Sequence, residues 1–305
     1  MTEIYNEICD AFPKQLAENF WMLGNYYFNL YLIKGENSTA IVEMGVSGIV
    51  DSVIEQLESM DVKPDYLVVA HPHSDHITGL SGLRERFPDA RVVAGEDAWE
   101  FVTHPKAIEG MVSEDRFITR MLESKGHRPG RPPLSKPPDF GDFLLVRDGD
   151  KIDLGGLTLD VMALKGHSPG NIGVRVPEID TLIVSDSLGF HYPQRGFLPL
   201  FFTGFNDYME SLDRLLGLHP KILCLAHQGP LIGSDAENAF RNAEKASYDL
   251  LRRITENKEN KNAMIETILS DPETPENTKQ IIRETLDDAR LRIINDGIDK
   301  ISEKK

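Results

Sequence analysis

The sequence predicts an α+β fold, with helices packed on β-sheet, a helical insertion near residues 100–140 and a helical extension beyond about residue 233. Three observations predict it. From Phe28 to Ala94, short apolar runs alternate with stretches of helical periodicity, the pattern of helices laid on a sheet. Pro129, Pro132, Pro133, Pro137 and Pro138 then crowd into ten residues, which excludes both helix interior and central strand there. From about Ser234 the composition turns to Glu, Lys and Arg at helical positions.

The elements follow in order. Phe28–Ile33 and Thr39–Met44 read as two strands, joined by a turn through Lys34, Gly35, Glu36, Asn37 and Ser38. Ser47–Met60 carries Ile49, Val53, Ile54 and Leu57 at helical spacing. Tyr66–Ala70 is an apolar run of strand type, Ile77–Phe87 a helix with Leu80, Leu83 and Phe87 on one face, and Arg91–Ala94 a short strand. Phe101–Leu122 is helical in parts and leads into the proline-rich connector, and an insertion of that length is expected to act as a lid. Strands resume at Phe143–Val146, Lys151–Leu154, Leu157–Leu164, Ile172–Val176 and Thr181–Ser185, separated by turns containing Gly149, Gly155, Gly156 and Gly170. Asn206–Leu216 is a helix and Ile222–Ala226 a strand. These divide the chain into a domain over 1–233 and an extension over 234–305, where Thr274-Pro275 opens a helix and Ile282, Leu286, Ala289 and Ile293 form one apolar stripe.

The bulk properties narrow the function. With 33 basic and 49 acidic residues the net charge is −16, which disfavours nucleic acid and anionic membrane as partners. No apolar stretch approaches the roughly 20 residues of a membrane helix. The start, Met1-Thr2-Glu3-Ile4, lacks a signal-peptide pattern, and Cys9 and Cys224 form no disulfide framework, so a cytoplasmic location is expected.

The chemistry is concentrated in His71-Pro72-His73-Ser74-Asp75-His76, three imidazoles and a carboxylate directly after a strand. Histidine beside carboxylate suits Zn, Fe or Mn. The pattern recurs: His167, Asp186 and His227 each follow an apolar strand, at successive gaps of 96, 19 and 41 residues from His71. A lone histidine is usually structural or solvated; four strands that each end in a ligand type are not explained that way. His104, His127 and His219 are expected at the surface. His191 and Tyr192, on the segment that leaves Asp186, are expected to touch substrate, against a plainer reading in which Phe190 and Tyr192 only pack the loop.

At this point the chain resembles the metallo-β-lactamase superfamily. Its H-x-H-x-D-H signature is matched by His71, His73, Asp75 and His76, and its later His, Asp and His by His167, Asp186 and His227, over about residues 20–233. The resemblance implies an αββα sandwich with two divalent metals at one edge of its two sheets. His71, His73 and His167 would bind the first, Asp75, His76 and His227 the second, and Asp186 both. It further implies attack by a hydroxide shared between the metals, with Asp75 as the catalytic carboxylate. Zinc is the first expectation for the metals, with iron and manganese as alternatives. The superfamily's flavin-partnered diiron reductases carry Glu where this chain has His73, which disfavours reductive chemistry. Ser185-Asp186-Ser187-Leu188-Gly189 and Asp207–Leu215 are similar to the branch containing the bacterial quinolone-signal response protein, a thioesterase-like group, although Ser185 stands where Gly is common. The expected activity is therefore hydrolysis of a small-molecule thioester or ester. Lactone or phosphodiester cleavage, or a signalling and protein-interaction role with a structural metal site, are the alternatives. The stripe of Ile282, Leu286, Ala289 and Ile293 leaves room for a homodimer through the tail or the insertion, against the commoner reading of such a stripe as intramolecular packing.

Overall fold

A computed structural model describes residues 12–193 and 196–256. Within them the chain forms two compact units. The larger runs up to Leu164 and adds Pro169–Asp186 and His219–Glu237; the smaller is built from Lys165–Ser168, Ser187–Leu218 and the chain from Asn238.

The larger unit holds two sheets. The first has seven strands in sequence order: β1 (Lys14–Ala17), β2 (Phe20–Gly24), β3 (Asn29–Lys34), β4 (Thr39–Val42), β5 (Tyr66–Val69), β6 (Arg91–Gly95) and β7 (Phe143–Val146). β1 to β4 run antiparallel, through tight connections. From β4 to β7 the pairing is parallel, which demands crossovers, and helices supply them. α1 (Val50–Ser59) joins β4 to β5; α2 (Ser74–Ile77) and α3 (Leu80–Arg86) join β5 to β6; α4 (Ala98–Val102) and α5 (Pro105–Ser124) precede β7. The second sheet has six strands in the order β15-β14-β11-β10-β9-β8: β8 (Lys151–Asp153), β9 (Thr158–Ala163), β10 (Ile172–Val176), β11 (Thr181–Ile183), β14 (Ile222–Cys224) and β15 (Leu231–Ile232). In the smaller unit, β12 (Phe190–Tyr192) and β13 (Gly196–Leu198) form a hairpin, and α6 is Phe205–Leu216; α7 (Ser234–Glu256) begins in the larger unit and continues into the smaller.

Side-chain alternation assigns the cores. On β5, Leu67 and Val69 join Leu30, Leu32 and Ile41 under the helices, where Val50, Val53 and Leu57 of α1 meet them. Tyr66 and Val68 point the other way, into a core between the two sheets with Tyr31, Ile33, Val161, Val174 and Ile183. A strand covered on both faces reads as an unbroken apolar run, which is why Tyr66–Val69 was legible without alternation. Parallel β4 and β5 end at the same edge, as do parallel β11 and β14. The chain leaves those four ends through Glu43, His71, Asp186 and His227.

Several expectations change. The helix expected over Ile77–Phe87 is two, Ser74–Ile77 and Leu80–Arg86. The break lies at Gly79, where an added Cβ would stand 2.1 Å from the Met44 carbonyl oxygen; the chain has to turn against the end of β4. β1, β2, β13 and β15 were not foreseen, and His191 and Tyr192 lie on a strand rather than a loop. The insertion is a 20-residue helix after a short one, followed by irregular chain where the prolines fall. The compositional change at Ser234 coincides with the start of α7. Thr274-Pro275, the stripe Ile282, Leu286, Ala289 and Ile293, and Cys9 lie outside the described residues. No helix among the described residues is long and apolar enough to cross a membrane.

Leu67 is fully buried in the middle of the first sheet. Leu67→Ala is expected to cost about 2–5 kcal/mol, read as a lower denaturant midpoint at unchanged slope. A change below about 1 kcal/mol would contradict the two-sided burial of β5.

Candidate metal centre

β5 delivers its ligand-type residues at once. His71 follows the strand and is fully buried, His73 immediately precedes α2, and Asp75 and His76 lie on α2 itself. The His76 carbonyl accepts a hydrogen bond from the Met44 N–H at 3.2 Å, so the short helix is tied to the end of β4. Asp186 and His227 arrive from the second sheet, after β11 and β14.

Three imidazoles of the larger unit are each fixed at Nδ1. His76 Nδ1 donates to Glu43 Oε2 at 3.0 Å, and His227 Nδ1 donates to the Tyr27 carbonyl at 2.6 Å. His71 Nδ1 pairs with Ser185 Oγ at 3.0 Å, a hydroxyl that can accept or donate. With Nδ1 engaged, Nε2 is the nitrogen presented to the common centre. There, His76 Nε2 lies 3.3 Å from Oδ2 of both Asp75 and Asp186, and His227 Nε2 lies 3.5 Å from Asp75 Oδ2 and 3.7 Å from Asp186 Oδ1. Two atoms that each bind a tetrahedral divalent ion at about 2.0–2.1 Å stand about 3.4 Å apart. His76 Nε2 is buried and has no hydrogen-bond geometry to any partner among the described residues. The spacing and the unmatched nitrogen both fit a cation held among Asp75, His76 and His227, whose ligand atoms lie within 4.8 Å of one another.

Glu43, His71 and His76 also bring ligand atoms within 4.8 Å. Glu43 approaches the Nδ1 side of His76, so it stands behind the ligand ring and orients it. The backbone marks these outer partners. Glu43 (φ +75°), Ser185 (φ +51°) and Gln228 (φ +63°) are left-handed without being glycine, and each adjoins or supports a residue of the centre. Such conformations cost of order 1–3 kcal/mol and persist where surrounding bonds hold them.

The electrostatics are dominated by the mixture of signs. Burial acts to raise the Asp75 carboxyl, yet His76 most strongly, then His227 and His73, hold it well below the usual carboxylate range. Burial acts to lower His76, but Asp75, Asp186 and Glu43 together hold its imidazolium well above the ordinary histidine range. Asp75, His76 and His227 would hold a cation here only with the His76 Nε2 proton given up.

His167 belongs to the smaller unit. Its Nδ1 donates to the Leu200 carbonyl at 2.8 Å and its ring lies 5.5 Å from that of Phe202. Gly166 before it has φ +103°, and an added Cβ would meet the Tyr208 backbone at 2.3 Å, so only glycine admits this approach to α6. His191 and Tyr192 are in the same unit, half-buried on β12, with His191 against Phe197 at 4.8 Å and Tyr192 against Phe190 at 5.0 Å. His104 and His219 are exposed as expected. His127 is instead half-buried, its ring 5.6 Å from Tyr27, the residue whose carbonyl holds His227. Sequence reasoning missed Glu43 and Tyr27 altogether and noticed Ser185 only as a replaced glycine. Its φ of +51° is the physical reason glycine suits that position, and the hydroxyl on His71 is what serine adds.

Two substitutions separate orientation from folding. Glu43→Gln is expected to weaken metal binding about 10–100-fold in chelator competition, because the amide is a poorer acceptor behind His76. Ser185→Gly is expected to weaken it too while leaving thermal stability nearly unchanged, since relief of the left-handed backbone offsets the lost bond. Wild-type affinity in both variants would contradict the orienting roles.

Comparison with known proteins agrees with this geometry. The family profile described as "Metallo-beta-lactamase superfamily" matches residues 25–227. The Metallo-beta-lactamase fold-containing protein ST1585 of Sulfurisphaera tokodaii is 28% identical over 205 residues, 66% of this chain and 72% of that one. Its crystal structure superposes with a TM-score of 0.54 at 22% identity, covering 90% of this chain and 93% of the other. A hydroxyacylglutathione hydrolase of Aeromonas salmonicida is 27% identical over 143 residues, 47% of this chain but only 40% of the relative's length. The Acyl-coenzyme A thioesterase MBLAC2 of Gallus gallus is 27% identical over 214 residues, 67% of this chain and 71% of the relative. Two facing sheets with His71, His73, Asp75, His76, Asp186 and His227 at their strand ends, and a profile match over two-thirds of the chain, carry one conclusion: this protein belongs to the metallo-β-lactamase superfamily.

Proposed function

We propose that the protein is a dinuclear metallohydrolase whose substrate is a small-molecule thioester, with simple esters as slower substrates. The observation that carries this is the inner cluster, in which His76 Nε2 stands 3.3 Å from each of two carboxylates and His227 Nε2 3.5 Å from one of them. In this reading Asp75, His76 and His227 hold one metal, His71 and His73 the other, and Asp186 serves both. The donors are nitrogen and oxygen only; Cys224 is buried in the core between the sheets. That donor set favours zinc, with iron or manganese as alternatives. Bound metals would supply a water activated near neutral pH and a polarised acyl oxygen.

The chain's own residues do the rest. Glu43, Ser185 and the Tyr27 carbonyl keep the imidazoles aimed. Asp75 is the more open of the two inner carboxylates, with 31% of its side chain exposed against 9% for Asp186. It is the one placed to accept the proton of the attacking water and pass it on. A thiolate leaving group needs less protonation than an alkoxide, so a thioester makes the lighter demand on that proton. His191 and Tyr192 are assigned to the acyl or thiol portion of the substrate. The relatives named as a hydroxyacylglutathione hydrolase and an acyl-coenzyme A thioesterase support a thioester in preference to a lactone or phosphodiester.

The test is a panel of acyl-coenzyme A and glutathione thioesters, aryl esters, lactones and bis-p-nitrophenyl phosphate, with bound metal measured in parallel. Thioesters are expected to turn over fastest, and Asp75→Asn to lower kcat about 10²–10⁴-fold even at metal concentrations that restore full occupancy of the weakened site. A doubly metallated protein that turned over none of these would sink the hydrolase reading; preference for the phosphodiester would sink the substrate class.

A further inference from the structure

We propose that Glu114 and Asp115, neighbouring acids on the insertion helix α5, are positioning residues that clamp the metal-binding helix α2 from both ends. The inference rests on the reading of Asp75 and His76 as ligands of one metal. α2 is a single turn, too short to hold its own shape. Ser74, at its start, donates from Oγ to Glu114 Oε2. Thr78, just past its end, donates from Oγ1 to Asp115 Oδ1 at 2.7 Å. Asp75 and His76 lie between those two anchors.

Asp115 is fully buried, and its carboxylate is heavily engaged. Oδ1 also accepts from the Ser47 N–H at 2.9 Å, and Oδ2 accepts from Ser47 Oγ at 2.6 Å and from the Leu134 N–H at 2.9 Å. A buried carboxylate with four donors tolerates little displacement, since each lost donor leaves an unmatched buried group. One side chain thus fixes three segments to each other: the turn after β4, the end of α2 and the connector beyond the insertion. Packing reinforces this. Gly48, in that turn, has no room for a Cβ, which would meet Thr119 of α5 at 2.9 Å. Farther along the connector, Arg131 reaches Asp51 of α1 through Nε at 2.9 Å and Nη2 at 2.6 Å. The base of the insertion is therefore part of the support of the metal-binding helix, not a free lid.

Positions i and i+1 on a helix point about 100° apart, so the two acids serve different donors from one backbone. Any displacement of α5 is passed to the Asp75–His76 pair through two separate bonds. Occupancy of that metal is expected to depend on the insertion, while the metal at His71 and His73 depends on it less.

The experiment measures metal stoichiometry and affinity by chelator competition, with thermal stability alongside, in wild type, Asp115→Asn, Thr78→Val, Glu114→Ala, Glu114→Gln and Ile118→Ala. Ile118 is a buried apolar residue of α5 and serves as the control for lost packing. Asp115→Asn and Thr78→Val are expected to weaken one of the two metals about 10–100-fold, and the double variant to show less than the sum of the two effects. Glu114→Ala is expected to weaken the same metal, and Glu114→Gln, which keeps an acceptor oxygen, to restore most of it. Ile118→Ala should lower stability with both metals still bound at wild-type affinity. If Asp115→Asn fails to fold, the Glu114 pair and Thr78→Val carry the same test. Wild-type metal affinity in the Thr78 and Glu114 variants, or losses that merely track thermal stability as in Ile118→Ala, would overturn the clamp. Absence of metal from the wild-type protein would instead overturn the metal-site reading on which it rests.

Discussion

The structure turns on how imidazoles are held at one nitrogen so that the other can face a shared centre. In the larger unit Glu43 holds His76, the Tyr27 carbonyl holds His227 and Ser185 holds His71; the smaller unit, taken by itself, repeats the device where the Leu200 carbonyl holds His167. The interaction is the same in each case, a bond at Nδ1. What differs is the element that supplies it: the end of β4, the chain before β3, the end of β11, and the chain after β13. A centre built this way requires the sheets to deliver their strand ends in fixed register, which explains why so much of the chain is committed to the two cores.

That commitment has a local cost. Glu43, Ser185 and Gln228 adopt a backbone that L side chains avoid, at roughly 1–3 kcal/mol each. A hydrogen bond involving a charged partner returns about 1.5–3 kcal/mol, enough to sustain the conformation where the bond is buried. Glu43 shows the balance: nearly fully buried, left-handed, and bonded through Oε2 to His76. Without that bond the same residue would combine backbone strain with an unmatched buried carboxylate. At Glu43 and Ser185, strain and the aim of a ligand ring are therefore one feature, not two.

How much of this was legible in the sequence follows from the range of each interaction. The run His71–His76 is local, and His167, Asp186 and His227 each announce themselves by following an apolar strand. Covered strands such as Tyr66–Val69 are visible as apolar runs, and the prolines after the insertion as a break. Glu43 was invisible as a partner because only folding brings it to a histidine 33 residues away. Asp115 was hidden in a stretch read merely as helical, since its donors Ser47, Thr78 and Leu134 come from three other segments. The helix expected over Ile77–Phe87 is present only from Leu80, because periodicity says nothing of the Met44 carbonyl, just past β4, pressing on Gly79. The hairpin at Phe190–Leu198 was missed because its strands are three residues each, too short to show alternation.

Two carboxylates and two imidazoles whose atoms approach to 3.3–3.7 Å make a poor core but a good cation site, and the superfamily assignment gives that cation a chemical purpose. The central claim is that these residues hold two metals side by side. Anomalous diffraction from crystals grown with zinc tests it most directly. The account predicts two adjacent peaks, one among Asp75, His76 and His227 and the other against His71 and His73, with Asp186 reaching both. A single peak, or metal bound only away from these side chains, would contradict it.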